Sequence, residues 1–135
     1  MNPIDVLIIG GGPAGLATAI RLKQQLKRAK KEASVVVIDK APKPGRHSLS
    51  GAVFEAECLD ELLPGWQKDS EFVGEAFFPG MPKVERDEMY FLTSRSAHRI
   101  PGLLVPSGMH HKGDYLISLS RFVEQLGKMA VREGI

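Results

Sequence analysis

"DVLIIGGGPAGLATAIRL", Asp5 to Leu22, passes from an apolar run through three consecutive glycines and a proline to a fourth glycine, Gly15, which opens an amphipathic stretch. Ile4 to Ile9 is β-branched and leucine-rich, too continuous for a half-exposed strand, and reads as a buried parallel strand. From Pro13 to about Lys30 the period turns helical, with Leu16, Ala19 or Ile20, Leu22 and Leu26 along one side. Pro13 suits the first helical turn, where no N–H is needed. Ser34-Val35-Val36-Val37-Ile38-Asp39 is a second buried strand. The glycines therefore lie at the first strand-to-helix turn of a β-α-β unit.

In that context Gly10-x-Gly12-x-x-Gly15 is the dinucleotide fingerprint in position as well as in letters. Gly10 permits the tight turn out of the strand, Gly12 lets the backbone approach a pyrophosphate, and Gly15 lets the helix pack on the strand. The pyrophosphate would lie at the helix N-terminus, where free N–H groups and the macrodipole favour negative charge. Asp39 ends the second strand, where its carboxylate can accept hydrogen bonds from the adenosine ribose hydroxyls. An acid there disfavours the 2′-phosphate of NADP, although Lys40 stands beside it, and leaves FAD and NAD both open. The fold class is α/β, with a Rossmann-like dinucleotide-binding domain.

Composition is that of a globular domain: 135 residues, 43% hydrophobic and 25% charged. A net charge of +2 offers no reason to expect nucleic acid. Met1-Asn2-Pro3-Ile4 lacks a basic n-region and the apolar run breaks at Gly10, so no signal peptide is expected. No apolar run approaches the length of about eighteen residues that a membrane span requires. The single cysteine, Cys58, allows no internal disulfide and no four-cysteine iron–sulfur site, fits a reducing compartment, and reads as a lone thiol on a short helix. Arg132-Glu133-Gly134-Ile135 reads as a helix end with a glycine cap. A strand should follow in an α/β alternation, so the chain is expected to be the N-terminal part of a longer protein.

Beyond Asp39, Ala41-Pro42-Lys43-Pro44-Gly45-Arg46 signals a loop. Glu55 to Leu63 reads as a short helix ended by Pro64-Gly65, and residues 64–83, rich in Gly and Pro, as irregular. Met89 to Thr93 is a strand candidate, with Arg99 to Val105 placed to pair near it. Tyr115 to Ser118 is another, leading into a helix from Ser120 to Glu133 with Ser120 as N-cap and Phe122, Leu126, Met129 and Ala130 on its apolar side. Three regions follow: residues 1–52, a β-α-β unit with a cofactor loop; 53–112, an excursion with a short helix and strands; and 113–135, a strand and helix returning to the first region. The loop Gly45-Arg46-His47-Ser48-Leu49-Ser50-Gly51-Ala52 places small hydroxyl residues between two glycines, in a form that could line a flat cofactor.

Pro13 and Ala14 within Gly12-Pro13-Ala14-Gly15, so close to the chain start, are similar to FAD enzymes of the glutathione-reductase type. The segments "HSLSGAV", "LDELLPGW", "RDEMYFLT", "RIPGLLVP" and "HHKGDYLISLSRFVEQLGKMA", in that order, resemble the N-terminal part of electron-transfer flavoprotein:ubiquinone oxidoreductases. The resemblance implies an FAD domain of the glutathione-reductase type, truncated here at its C-terminus, with a quinone-binding region and a [4Fe–4S] domain. It implies that Gly10, Gly12 and Gly15, with Pro13 and Ala14, hold the FAD pyrophosphate, and that Asp39, with Lys40 beside it, holds the adenosine ribose. Ser48, Leu49, Ser50, Gly51 and Ala52 would line the flavin, and Arg121, near the start of the last helix, would reach the pyrophosphate, with Ser118 the alternative occupant of that position. The family's cluster has four cysteine ligands near its C-terminus. With Cys58 alone, the cluster is expected only in a missing part of the protein.

The implied reaction passes electrons from reduced electron-transfer flavoprotein to ubiquinone through FAD and the cluster, with peripheral contact on the cytoplasmic side of a membrane. It asks for no nucleophile or general base on this domain, and no catalytic residue is assigned. Two alternatives are a geranylgeranyl-reductase-like FAD enzyme and a nucleotide-binding module without turnover. His110 and His111 read as loop residues, because adjacent side chains diverge and no Cys or acidic partner stands at a metal-ligand spacing; His47 reads either as a group that tunes charge at the cofactor loop or as an exposed loop residue, and His98 carries no signal. Arg21, Lys23, Lys27, Arg28, Lys30 and Lys31 read as a solvated basic helix surface ahead of a contact for an acidic partner or an anionic membrane surface. "IPGLLVP", Ile100 to Pro106, reads as core ahead of a membrane contact.

Overall fold

The computed structural model describes residues 3–49, 51–79 and 81–135. Strand β1 (Val6–Ile9) runs parallel to β2 (Val35–Ile38), in register from Val6 opposite Val35 to Ile9 opposite Ile38. Helix α1 (Pro13–Arg28) connects them, burying Leu16, Ala19 and Ile20. Asp5 accepts the Ser34 N–H at 2.7 Å, which locks the start of the pair. The expectation of fully buried strands is corrected. Helix α1 covers one face, while Leu7, Ile9 (82% exposed) and Ile38 on the other meet solvent. Continuous apolarity marks strands suited to burial on both faces, but only one face finds a covering element among the described residues.

A second layer is built on β3 (Ala52–Phe54) paired antiparallel with β6 (Tyr115–Ile117). Single bridges from Phe77 to Ile117 and from Lys83 to Tyr115 extend it. Helix α2 (Glu57–Leu62) forms as expected and ends before Pro64-Gly65. The reading of residues 64–83 as irregular is corrected: a 3₁₀ turn, Trp66–Lys68, leads into helix α3 (Ser70–Ala76). Asp69 caps α3 by accepting the Phe72 N–H at 3.0 Å. Burial of Phe72 and Ala76 then holds a helix too short to persist alone. Trp66 stacks on Phe77 with centroids 4.9 Å apart, and Phe72 and Tyr115 meet it edge-on.

Helix α4 (Leu119–Arg132) lies against α1 and α3, burying Phe122, Val123, Leu126 and Ala130. Its N-cap is Ser118, not Ser120. Ser118 is extended, and its carbonyl already accepts the Phe122 N–H at 2.9 Å, so the helix starts two residues early. The end behaves as expected, with Gly134 at φ +78° and the Ile135 N–H bonded to the Ala130 carbonyl.

Strands β4 (Tyr90–Leu92) and β5 (Ala97–Arg99) form a hairpin. Of the range Arg99 to Val105, Arg99 pairs with Tyr90 and Ile100 donates its N–H to the Met89 carbonyl at 2.8 Å, but the pairing goes no further, because Pro101 cannot donate to a ladder and Gly102–Leu104 turns into 3₁₀ helix. The core reading of "IPGLLVP" is also corrected, since Leu103 is 91% exposed and Leu104 is exposed beside it. Phe91 and Leu92 of the hairpin are exposed too.

Candidate functional site

Local sequence places the site where β1 gives way to α1. The Gly10 N–H bonds the Ile38 carbonyl at 2.7 Å, carrying the ladder one step past the strands and setting the turn beside Asp39. Gly10 has φ +115°, a region costly for any side chain. A Cβ on Gly15 would fall 1.9 Å from the Gly10 carbonyl oxygen, so the helix reaches the strand only because Gly15 has none. Gly12 differs. It is extended, and a Cβ there would meet nothing within 4 Å, so its bareness serves no contact inside the protein.

Gly12 caps α1 without a side-chain hydrogen bond, Pro13 opens the helix, and no acidic residue stands in the first turn. The Ala14 and Gly15 N–H groups thus begin a helix with no acceptor supplied by the turn, next to the positive end of the macrodipole. Asp39 closes the other side. Its Oδ2 accepts the Gly11 N–H at 2.6 Å and its Oδ1 the Ala41 N–H at 2.7 Å. These two donors, Ala41 first, hold its carboxyl below the ordinary 3.8, with smaller help from His47 and Lys40 against some desolvation. An ionised carboxylate offers about four lone-pair sites, so two remain for a ligand hydroxyl.

Sequence reasoning passed over Gly11, treating it as a variable position of the fingerprint. Gly11 is buried, and a Cβ on it would lie 3.3 Å from the Asp39 Cβ, so the middle glycine lets the turn and the acid approach each other. The uninterrupted glycine triplet was the available signal. Of the two readings of His47, its charge acts at Asp39, where it helps to lower the carboxyl pKa.

The second loop is fastened to α4. Gly45, at φ +81°, approaches so closely that a Cβ would sit 2.2 Å from the Ser120 carbonyl oxygen, and Lys43 pairs with Glu124 at 3.4 Å. Ser48 is half-buried and Leu49 exposed; Ser50 lies outside the described residues. Gly51, at φ +85°, turns the chain into β3, which begins at Ala52. Arg121 is exposed in the first turn of α4, and Lys40 is exposed beside Asp39. Gly10, Gly12, Pro13, Ala14, Gly15, Asp39 and Lys40 therefore share one turn region, while Ser48, Leu49 and Gly51 belong to the neighbouring loop, Ala52 to β3 and Arg121 to α4. Beside Pro13 and Ala14 a largely apolar cavity of about 690 Å³ opens between α1, α2 and α4, with Cys58 and Phe122 in its wall. The basic surface of α1 is largely solvated, and Arg21 also pairs with Glu61 of α2 at 3.0 Å.

The FAD dependent oxidoreductase family matches residues 5–76, just over half of the chain. The chain belongs to that family. Membership implies a Rossmann-like α/β fold that binds FAD, in keeping with β1, α1, β2 and the glycine turn. The resemblance to electron-transfer flavoprotein–ubiquinone oxidoreductases also stands. The chain is 41% identical over 99% of its length to the mitochondrial enzyme of that name from Dictyostelium discoideum. It is 42% identical over its whole length to the probable mitochondrial one from Schizosaccharomyces pombe, and 42% identical over 97% to that of Pseudomonas aeruginosa. It spans only 20%, 20% and 23% of those relatives. Among the described residues no helix of this FAD-dependent oxidoreductase chain is long and apolar enough to cross a membrane.

Proposed function

We propose that this chain is the FAD-binding part of an enzyme that passes electrons from reduced electron-transfer flavoprotein to ubiquinone, in a domain of the glutathione-reductase type. The observation that carries the reading is the cradle at the glycine turn. Gly12 leaves open space where any side chain would project, directly at the first-turn amides of α1. Gly10, Gly12, Pro13, Ala14 and Gly15 would receive the pyrophosphate on backbone N–H groups. Asp39 would accept the adenosine ribose hydroxyls through its remaining lone pairs, and its lowered pKa keeps it ionised at neutral pH. Lys40 and Arg121 would add positive charge nearby, and Ser48, Leu49, Ser50, Gly51 and Ala52 would line the flavin from the loop that Gly45 fastens to α4.

When bound, FAD supplies the redox chemistry, and the chain's own residues bind and orient it. A [4Fe–4S] cluster would take its thiolates from elsewhere in a longer protein, since Cys58 is the sole cysteine here. For peripheral contact of the full-length protein with the cytoplasmic side of a membrane, the apolar side chains this chain offers include Phe91, Leu92, Leu103 and Leu104, each of them exposed.

Titration of the purified chain with FAD tests the reading. One equivalent of FAD is expected to bind in preference to NAD, with no reduction of a quinone analogue by the chain alone. Preference for NAD would overturn the flavin assignment. For the membrane contact, Leu103→Ser with Leu104→Ser should lower flotation with liposomes, and unchanged flotation would count against it.

A further inference from the structure

We propose that Glu55, His111 and Asp114 bind one divalent transition-metal ion of the zinc class. His111 lies 56 positions after Glu55 in sequence, and the pairing of β3 with β6 removes that distance. Phe54 lies opposite Tyr115, so one step further along the antiparallel register Glu55 faces Asp114. Two carboxylates at facing positions of neighbouring strands repel each other unless a cation lies between them. His111 stands at this point, its Nδ1 3.1 Å from Asp114 Oδ2. One donor atom from each of the three residues lies within 4.8 Å of the other two. The reading of His111 as lacking an acidic partner is thereby corrected. One partner stands three residues on, and the other comes from across the sheet.

Further features favour a cation. Asp87 Oδ2 accepts the His111 backbone N–H at 2.6 Å, which places a third carboxylate beside the loop. The nearby cation from the bridging segment, Lys83, is turned onto the Tyr115 ring with Nζ 4.7 Å from its centroid. Among the described residues Glu55 has no hydrogen-bond or ion-pair partner, so its carboxylate is free to rotate inward. Zinc binds imidazole nitrogen and carboxylate oxygen at about 2.0–2.2 Å, and donors near 3 Å apart, as His111 and Asp114 are, suit that reach. An imidazole with two carboxylates suits zinc better than calcium or magnesium, which favour oxygen alone. Bound there, the ion would clip the start of the α2 segment to the loop that enters β6.

The test is calorimetric titration of the tag-free 135-residue chain with Zn²⁺, beside Co²⁺ as a spectroscopic probe and Ca²⁺ as control. One equivalent of Zn²⁺ is expected, with a Co²⁺ ligand-field spectrum and weaker Ca²⁺ binding. His111→Gln and Glu55→Gln should each weaken Zn²⁺ at least about tenfold, the loss that even an outer partner of a metal site causes. His110→Gln, on the adjacent loop position, should leave binding unchanged. Far-UV circular dichroism separates loss of ligand from loss of fold. Absence of saturable Zn²⁺ binding by the wild-type chain overturns the proposal whatever the variants do. So does retention of full affinity in folded His111→Gln.

Discussion

Replacing Gly15 by alanine tests why the turn needs its last glycine, and replacing Gly12 separates packing from ligand space. The new Cβ of Gly15→Ala would lie 1.9 Å from the Gly10 carbonyl oxygen and 3.1 Å from its carbon. Both are backbone atoms of a turn already at φ +115°, so neither can swing aside as a side-chain tip would. Ordinary carbon–oxygen contacts lie at about 3.3 Å or more. The first turn of α1 must therefore move away from β1 by more than about 1 Å. Overpacking of this kind costs roughly 1–3 kcal/mol, and a backbone clash sits at the upper end. Alanine's better helix propensity returns about 1 kcal/mol. A net loss of about 2 kcal/mol should lower the melting temperature by roughly 5–10 °C. Gly12→Ala meets nothing in the protein and should cost less than about 1 kcal/mol, the scale of an N-cap change. It should nevertheless weaken FAD about tenfold or more, because the added methyl enters the space where the pyrophosphate approaches, a loss of about 1.4 kcal/mol. Thermal melting without FAD, followed by fluorescence titration with FAD, reads both effects. A Gly15→Ala chain melting at the wild-type temperature, or a Gly12→Ala chain as destabilised as Gly15→Ala, would refute the reasoning.

The Asp39 carboxyl is held below 3.8 in the folded chain by the Ala41 and Gly11 N–H groups, so its stabilising contribution is present above that ordinary value and lost as pH falls through the lower folded one. Asp39→Asn should accordingly flatten the acid limb of the stability curve below pH 3.8 and leave the slope near neutral pH unchanged, as read by urea denaturation across pH; an unaltered acid limb would show that the two backbone contacts do not hold in solution. Gly45→Ala combines a φ of +81° with a Cβ 2.2 Å from the Ser120 carbonyl oxygen, and should cost about 2–4 kcal/mol. Gly127→Ala would bring its Cβ to 2.8 Å from Cγ of the Pro44 ring, a milder clash at an unstrained helical position where alanine's propensity returns about 1 kcal/mol, and should cost less than Gly45→Ala by the same measurement. Equal losses at the two sites would contradict that ranking of a side-chain ring contact below a backbone clash at positive φ.

The β1-α1-β2 unit was legible because its signals are local. A period of apolar residues marks strand or helix without reference to distant chain, and glycines at fixed offsets mark a backbone that must turn tightly or come close. Asp39 was legible for the same reason, since it ends a strand whose partner lies just upstream. Gly11 was not, because what it permits is contact with Asp39, which exists only once β1 and β2 lie side by side. Helix α3 was hidden by its Gly and Pro flanks, since its stability comes from one Asp69 cap and from the burial of Phe72 and Ala76 against distant residues.

By itself, then, the sequence determined which segments turn, which run straight and where phosphate would be met by bare backbone, because these follow from short-range sterics and periodicity. Tertiary structure alone decided which apolar residues are covered. Leu103 and Ile9 are as hydrophobic as Leu126, yet only Leu126 has neighbours folded over it. Apolarity states a preference for burial, and packing decides whether it is met. Tertiary structure also decided that Glu55 faces Asp114 beside His111, since strand pairing joins residues that no spacing rule along the chain could connect.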